Sequence, residues 1–130
     1  MPILFSAVSL EKDVLNKFAS CDGNFEEILD LVLRKIPNED YKMTYLHGRY
    51  LLHYISENKH LYFCITDKLC QRSRAFLFLN EIKRRFLTII SSDFSSTLAE
   101  QMYRYNEDCS TIIITKGEID ELNTIGVDSS

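Results

Sequence analysis

Residues 41–66, YKMTYLHGRYLLHYISENKHLYFCIT, decide the fold. Three β-branched and aromatic runs, 41–46, 50–56 and 61–66, are separated by His47-Gly48-Arg49 and Glu57-Asn58-Lys59. Glycine and asparagine supply the backbone freedom of tight turns, so the runs read as a three-stranded antiparallel meander. In the third run, Leu61, Phe63 and Ile65 fall on one face and Tyr62 and Cys64 on the other. Both faces are apolar, whereas an antiparallel sheet washed by water on one side alternates with polar residues. Helices are therefore expected on both sides of the sheet.

Upstream of the meander, residues 2–10 and 13–19 are strand-like runs separated by Glu11-Lys12, which reads as an opening hairpin. Asn24 follows as an N-cap, with Glu26 and Glu27 in the first turn, where acids favour the helix dipole. A helix is expected over 25–36: Phe25, Ile28, Val32 and Ile36 form a core stripe, Leu29 and Leu33 widen it, and Pro37 ends it. Downstream, Asp67 is a candidate N-cap for a helix over 68–87 with an inward stripe of Leu69, Phe76, Leu79, Ile82 and Phe86. The run Phe76-Leu77-Phe78-Leu79 is apolar around most of the helix, so this element is expected to touch two neighbours. Ser91-Ser92-Asp93 breaks the pattern, and residues 94–106 read as a second helix beside the first. Thr111 to Thr115 has strand propensity, but the tail as a whole is expected to be poorly ordered.

The expected fold is α+β: two strands, a helix, three strands and two helices, giving a five-stranded antiparallel sheet sandwiched between one helix and a helix pair. The 130 residues, 45% apolar and 26% charged, suit one soluble domain with a sizeable core. No apolar stretch approaches the roughly 20 residues of a membrane helix, and the opening segment lacks the basic start of a signal peptide. A net charge of −4 argues against nucleic acid as the main partner. The charge is uneven. Lys68, Arg72, Arg74, Lys83, Arg84 and Arg85 cluster against Glu81, whereas acids dominate from Asp93 onward. A basic helix face of this kind is either a solvated surface or a dock for acidic partners or anionic lipid.

Little in the sequence suggests catalysis. Cys21, Cys64, Cys70 and Cys109 lack the paired spacing of zinc or redox motifs, which fits a reduced, cytosolic compartment. His53 alternates with Leu51 and Ile55 on one strand face and reads as a buried, hydrogen-bonded imidazole, with no triad context beside it. His47 and His60 sit at turns, and the four glycines form no phosphate loop. No enzymatic activity, metal or cofactor is expected.

The stretches 21–25 (CDGNF), 35–37 (KIP), 47–55 (HGRYLLHYI), 64–67 (CITD), 72–76 (RSRAF) and 78–86 (FLNEIKRRF) resemble the longin domains of tetanus-insensitive vesicle R-SNAREs. Phe94-Ser95-Ser96 and Leu98-Ala99 extend the resemblance to about residue 105. It departs between Phe86 and Phe94, where the connection is shorter than in the family, and after the Glu118-Ile119-Asp120-Glu121-Leu122 segment that resembles the opening of a SNARE motif. The heptad-patterned helix with its central arginine and the membrane anchor do not follow, as in a trimmed piece or a naturally truncated product.

The resemblance implies a profilin-like longin fold over residues 1–108, with residues 109–130 forming a tail that holds the start of a SNARE motif. It also implies a non-enzymatic regulator of vesicle-mediated transport and membrane fusion. Its apolar groove would receive either the parent protein's own SNARE motif or adaptor and tethering proteins. By position, Met43 and Tyr45 would floor the groove and Leu29 and Leu33 would wall it; ordinary core is the competing reading of all four. The parent would be membrane-anchored on the cytoplasmic face of vesicles, late endosomes or lysosomes, with this fragment soluble. The alternative is a stand-alone longin-fold subunit of a tethering or adaptor complex.

Overall fold

A computed structural model describes residues 3–35, 39–68, 70, 72–88, 94–107 and 127–129. The chain opens with a hairpin of β1 (Ile3–Leu10) and β2 (Asp13–Ala19), followed by α1 (Phe25–Lys35). The meander is β3 (Tyr41–His47), β4 (Tyr50–Glu57) and β5 (His60–Asp67). Two helices, α2 (Arg72–Thr88) and α3 (Phe94–Glu107), come next, and a short β6 (Val127–Ser129) follows.

The sheet order is β2-β1-β5-β4-β3-β6. The first five strands pair antiparallel, so the expected five-stranded sheet is present with β1 inserted beside β5. The turns take the backbone that the sequence demands. Gly48 has φ 61°, and Asn58 and Lys59 both lie in the left-handed region at 51° and 66°.

A sixth strand was not expected. Val127–Ser129 runs parallel to β3, with Thr44 opposite Val127, Tyr45 opposite Asp128 and Leu46 opposite Ser129. The physical reason is the outer edge of β3, whose free N–H and C=O groups offer a template to any extended backbone. The strand propensity of residues 111–115 and the rest of the expected poorly ordered tail lie outside the described residues.

The sheet separates two cores, as its doubly apolar β5 requires. Leu61, Phe63 and Ile65 face α1 together with Phe5, Leu52 and Tyr54. Tyr62 and Cys64 face α2 and α3, packing with Phe76, Leu79, Ile82, Leu98 and Met102. The apolar run in α2 touches two neighbours: Phe76 meets His53 of β4 edge-on at 5.7 Å, and Phe78 meets Tyr105 of α3 at 5.8 Å. Burial of these large side chains contributes about 2 kcal/mol each relative to exposure.

Boundaries differ from expectation at α2, which is regular only from Arg72. Asp67 does make a capping contact, its Oδ1 accepting the Cys70 N–H at 3.1 Å, but β5 runs through Asp67 itself. Leu69, expected in the inward stripe, and Ile36 and Pro37 at the end of α1 lie outside the described residues. The α1 carbonyl of Leu33 accepts a hydrogen bond from Lys12 Nζ in the β1–β2 turn, which satisfies one of the orphan acceptors of a helix end. Lys17 of β2 pairs with Glu26, fastening the hairpin to the start of the same helix.

Candidate functional site

The α1 face of the sheet carries a groove at its β3 side, with a volume of about 120 Å³. From α1 it is lined by Ile28, Leu31, Val32 and Lys35, which recur at i, i+3, i+4 and i+7 and so form one stripe along the helix. From the sheet it is lined by Tyr45 and His47 of β3 and Leu52 of β4. Tyr45 and Leu52 are directly opposed in the β3–β4 register and so share a face. Leu31 is 47% exposed, a large apolar side chain left open to solvent beside an apolar channel. Tyr45 is half-buried, its ring stacked on the fully buried Tyr54 at 5.9 Å.

The four residues singled out from the sequence do not all meet here. Met43 and Tyr45 project to the α1 side, as their spacing of two requires. Only Tyr45 lines the groove. Met43 is 7% exposed and packs in the α1-side core, as do Leu29 at 1% and Leu33 at 6%. The reason is the rotation of α1: the row through Leu29 and Leu33 is turned into the sheet, and the row through Ile28, Leu31 and Lys35 borders β3. Leu29, Leu33 and Met43 thus belong to the core on which the groove rests.

The other expected chemistry resolves into structure. His53 is fully buried on the opposite face of the sheet, between Thr44 Oγ1, 2.8 Å from Nδ1, and Thr66 Oγ1, 2.9 Å from Nε2. Thr66 Oγ1 donates its own proton to the Asp67 carbonyl at 3.1 Å, which leaves it to accept from Nε2–H. Nδ1 then accepts from the Thr44 hydroxyl. Every polar atom is satisfied with the ring neutral. Burial, reinforced by Arg72, lowers the His53 pKa to about 3. The imidazole bridges three strands and has no carboxylate among these partners.

Cys64 and Cys70 are buried, the Cys64 thiol pushed up by desolvation, and Cys21 is exposed. No cluster of three or more potential metal ligands occurs among the described residues. The basic face of α2 is largely engaged locally. Arg84 makes two hydrogen bonds to Glu81, Lys83 pairs with Glu57 at 2.8 Å, and Arg74 donates to the Tyr105 carbonyl. No helix among the described residues is long and apolar enough to cross a membrane.

Residues 15–113 match the model of the longin family, described as a regulated-SNARE-like domain.

The chain belongs to the longin family.

Among curated relatives it is 43% identical to vesicle-associated membrane protein 7 of Mus musculus over 98% of this chain. It is 34% identical to vesicle-associated membrane protein 7B of Dictyostelium discoideum over 96%, and 26% identical to vesicle-associated membrane protein 713 of Arabidopsis thaliana over 99%. The chain spans 64% of the length of the mouse relative and 54% of that of the Dictyostelium one.

In this longin domain Ile28 and Val32 are core, as expected from their spacing, and also line the groove, whereas Leu31, Lys35 and His47 were not singled out from the sequence. A signal was present in Leu31, an apolar residue followed one helical turn later by a cation at Lys35 on the same helical row. Assigning that row to a groove requires knowing which way α1 is rotated on the sheet.

Proposed function

We propose that this longin domain is the N-terminal regulatory module of a vesicle R-SNARE, acting in vesicle-mediated transport and membrane fusion on the cytoplasmic face of vesicles. It binds segments of polypeptide in the α1–β3 groove: the SNARE motif of the parent protein, or adaptor and tethering proteins that sort it. It acts by occupancy rather than by catalysis. The names of the relatives, all vesicle-associated membrane proteins, support the cellular role.

The observation that carries the binding role is the pairing of an apolar groove with a receptive strand edge. Ile28, Leu31, Val32 and Leu52 offer side-chain anchor sites, and β3 beside them already accepts Val127–Ser129 as a parallel strand. Side-chain pockets next to an edge that takes main-chain hydrogen bonds are the two elements of peptide recognition by strand addition. Competition for one surface would couple the uses of the domain, because an occupied groove cannot admit a second segment.

Calorimetric titration with the polypeptide that makes up the remainder of the mouse relative tests this. Saturable one-to-one binding is the expected result. No heat of binding at any accessible concentration would remove the groove's assignment.

A further inference from the structure

The helix α2 ends on an exposed threonine with two arginines beside it. The hydroxyl of Thr88 is shared between the carbonyls of Arg84 and Arg85, at 3.2 and 3.1 Å, which turns the side chain back over the preceding turn. Arg84 and Arg85 stand four and three residues earlier, the spacings that make neighbours on a helix surface. Both guanidiniums keep capacity for another anion. The Arg84 side chain is 62% exposed although it is hydrogen-bonded to Glu81. Arg85 reaches the same carboxylate only at 3.8 Å, and its buried Nε has no hydrogen-bond partner among the described residues. A buried donor left in that state is costly, and an anion carried by Thr88 would stand next to it.

We propose that Thr88 is a phosphorylation site for an arginine-directed kinase, and that Arg84 and Arg85 hold the phosphate once it is made. The run Lys83-Arg84-Arg85, followed by the exposed Leu87 and the exposed Thr88 hydroxyl, is a charge pattern that an acidic kinase cleft can read. The last turn of a helix opens most readily, because its carbonyls lack intrahelical partners, so the acceptor is reached without unfolding the sheet. In the transfer, Thr88 Oγ1 bonds to the γ-phosphorus of ATP while the bond from that phosphorus to the β,γ-bridging oxygen breaks. The hydroxyl proton passes to the base of the kinase, and ADP leaves. The product carries about two negative charges and three acceptor oxygens in place of one donor. It gives up the bonds to the two carbonyls and opposes the helix dipole, an effect that exposure to solvent weakens. Charge-assisted bonds to two guanidiniums, each roughly twice as strong as a neutral bond, outweigh that loss. Arg84 accordingly turns from Glu81 to the phosphate. The site lies on the helix-pair side of the sheet, away from the α1–β3 groove, and does not depend on what the groove binds.

The test incubates the full chain with ATP and the calcium/calmodulin-dependent Ser/Thr kinase, an arginine-directed enzyme, beside a synthetic peptide copied from residues 80–92. Mass spectrometry locates the phosphate. One phosphate on Thr88 is expected, absent from Thr88→Val, and Arg85→Gln should slow its addition about tenfold. In phosphorus NMR titrations the phosphate on the folded chain should be about threefold more acidic than that on the peptide, and Arg84→Gln should shrink the difference. Phosphate on the peptide but not on Thr88 of the chain would overturn the site, because the folded helix then denies access. Phosphate on neither would overturn the recognition of the basic run. A phosphate on Thr88 that titrates as it does in the peptide would overturn the hold by Arg84 and Arg85.

Discussion

Tyr45 stacks on Tyr54 with ring centroids 5.9 Å apart and planes 24° from parallel, although only Tyr54 is fully buried. The buried ring is thus the support and the half-buried one is the wall of the groove. Tyr41 leans on the same ring at 6.4 Å, so Tyr54 holds two β3 side chains in place from the neighbouring strand. Removing the outer ring and removing the core beneath it should have different consequences. Tyr45→Ala forfeits one stacking contact, worth about 1 kcal/mol, together with part of the apolar burial. It should weaken peptide binding more than it lowers the unfolding midpoint. Denaturant titration alongside calorimetry measures both effects.

Met43 gives the opposite profile. Its side chain is buried in the α1-side core, so Met43→Ala opens a cavity and should cost about 3 kcal/mol of stability. Binding by the fraction that stays folded should change little, because the side chain does not line the groove. A loss of affinity at full stability would place Met43 in the groove after all.

His53 makes stability depend on pH. Its folded-state pKa is lowered from 6.5 to about 3, so the unfolded chain binds more protons across that interval. The contribution is fully present above pH 6.5 and is lost as pH falls toward 3. Between pH 7 and pH 5 the loss amounts to about 2 kcal/mol. His53→Gln should flatten this dependence in urea titrations at the two pH values, even if the variant is less stable at both. An unchanged slope would show that carboxylates, not this imidazole, set the acid sensitivity.

Gly23 abuts the ring of Phe25, and a Cβ there would lie 2.7 Å from the ring carbon Cζ. That ring stacks on Phe5 at 5.5 Å and starts the buried face of α1. Gly23→Ala should therefore displace Phe25 and destabilise the domain by about 1–3 kcal/mol, seen as a lower unfolding temperature. Gly48 differs: open space surrounds it, and the cost of Gly48→Ala arises from its φ of 61° alone, about 1 kcal/mol.

The layers were legible because β5 announces them. Leu61, Phe63 and Ile65 on one face and Tyr62 and Cys64 on the other leave no room for solvent on either side of the sheet. Gly48 and Asn58 likewise mark turns through the backbone they permit. The groove was harder to read. Phe25, Ile28, Leu29, Leu31, Val32 and Leu33 give α1 an apolar face too wide to say which edge meets β3, and Leu29 and Leu33 turned out to be core. Spacing alone placed Met43 and Tyr45 on the right face, but it carries no information about how far along β3 the helix extends its cover. The β6 strand had no signal, since three residues are too few for alternation to show and its partner is an edge distant in sequence.

Leu31→Gln tests the central claim most directly, because Leu31 is exposed, lines the groove and contributes little to the core. Titrated calorimetrically with the remainder of the mouse relative, this variant should bind about tenfold more weakly than the parent chain, the equivalent of one lost aliphatic anchor. Its unfolding temperature should be unchanged. Undiminished affinity in a fully folded variant would contradict the groove as the binding site.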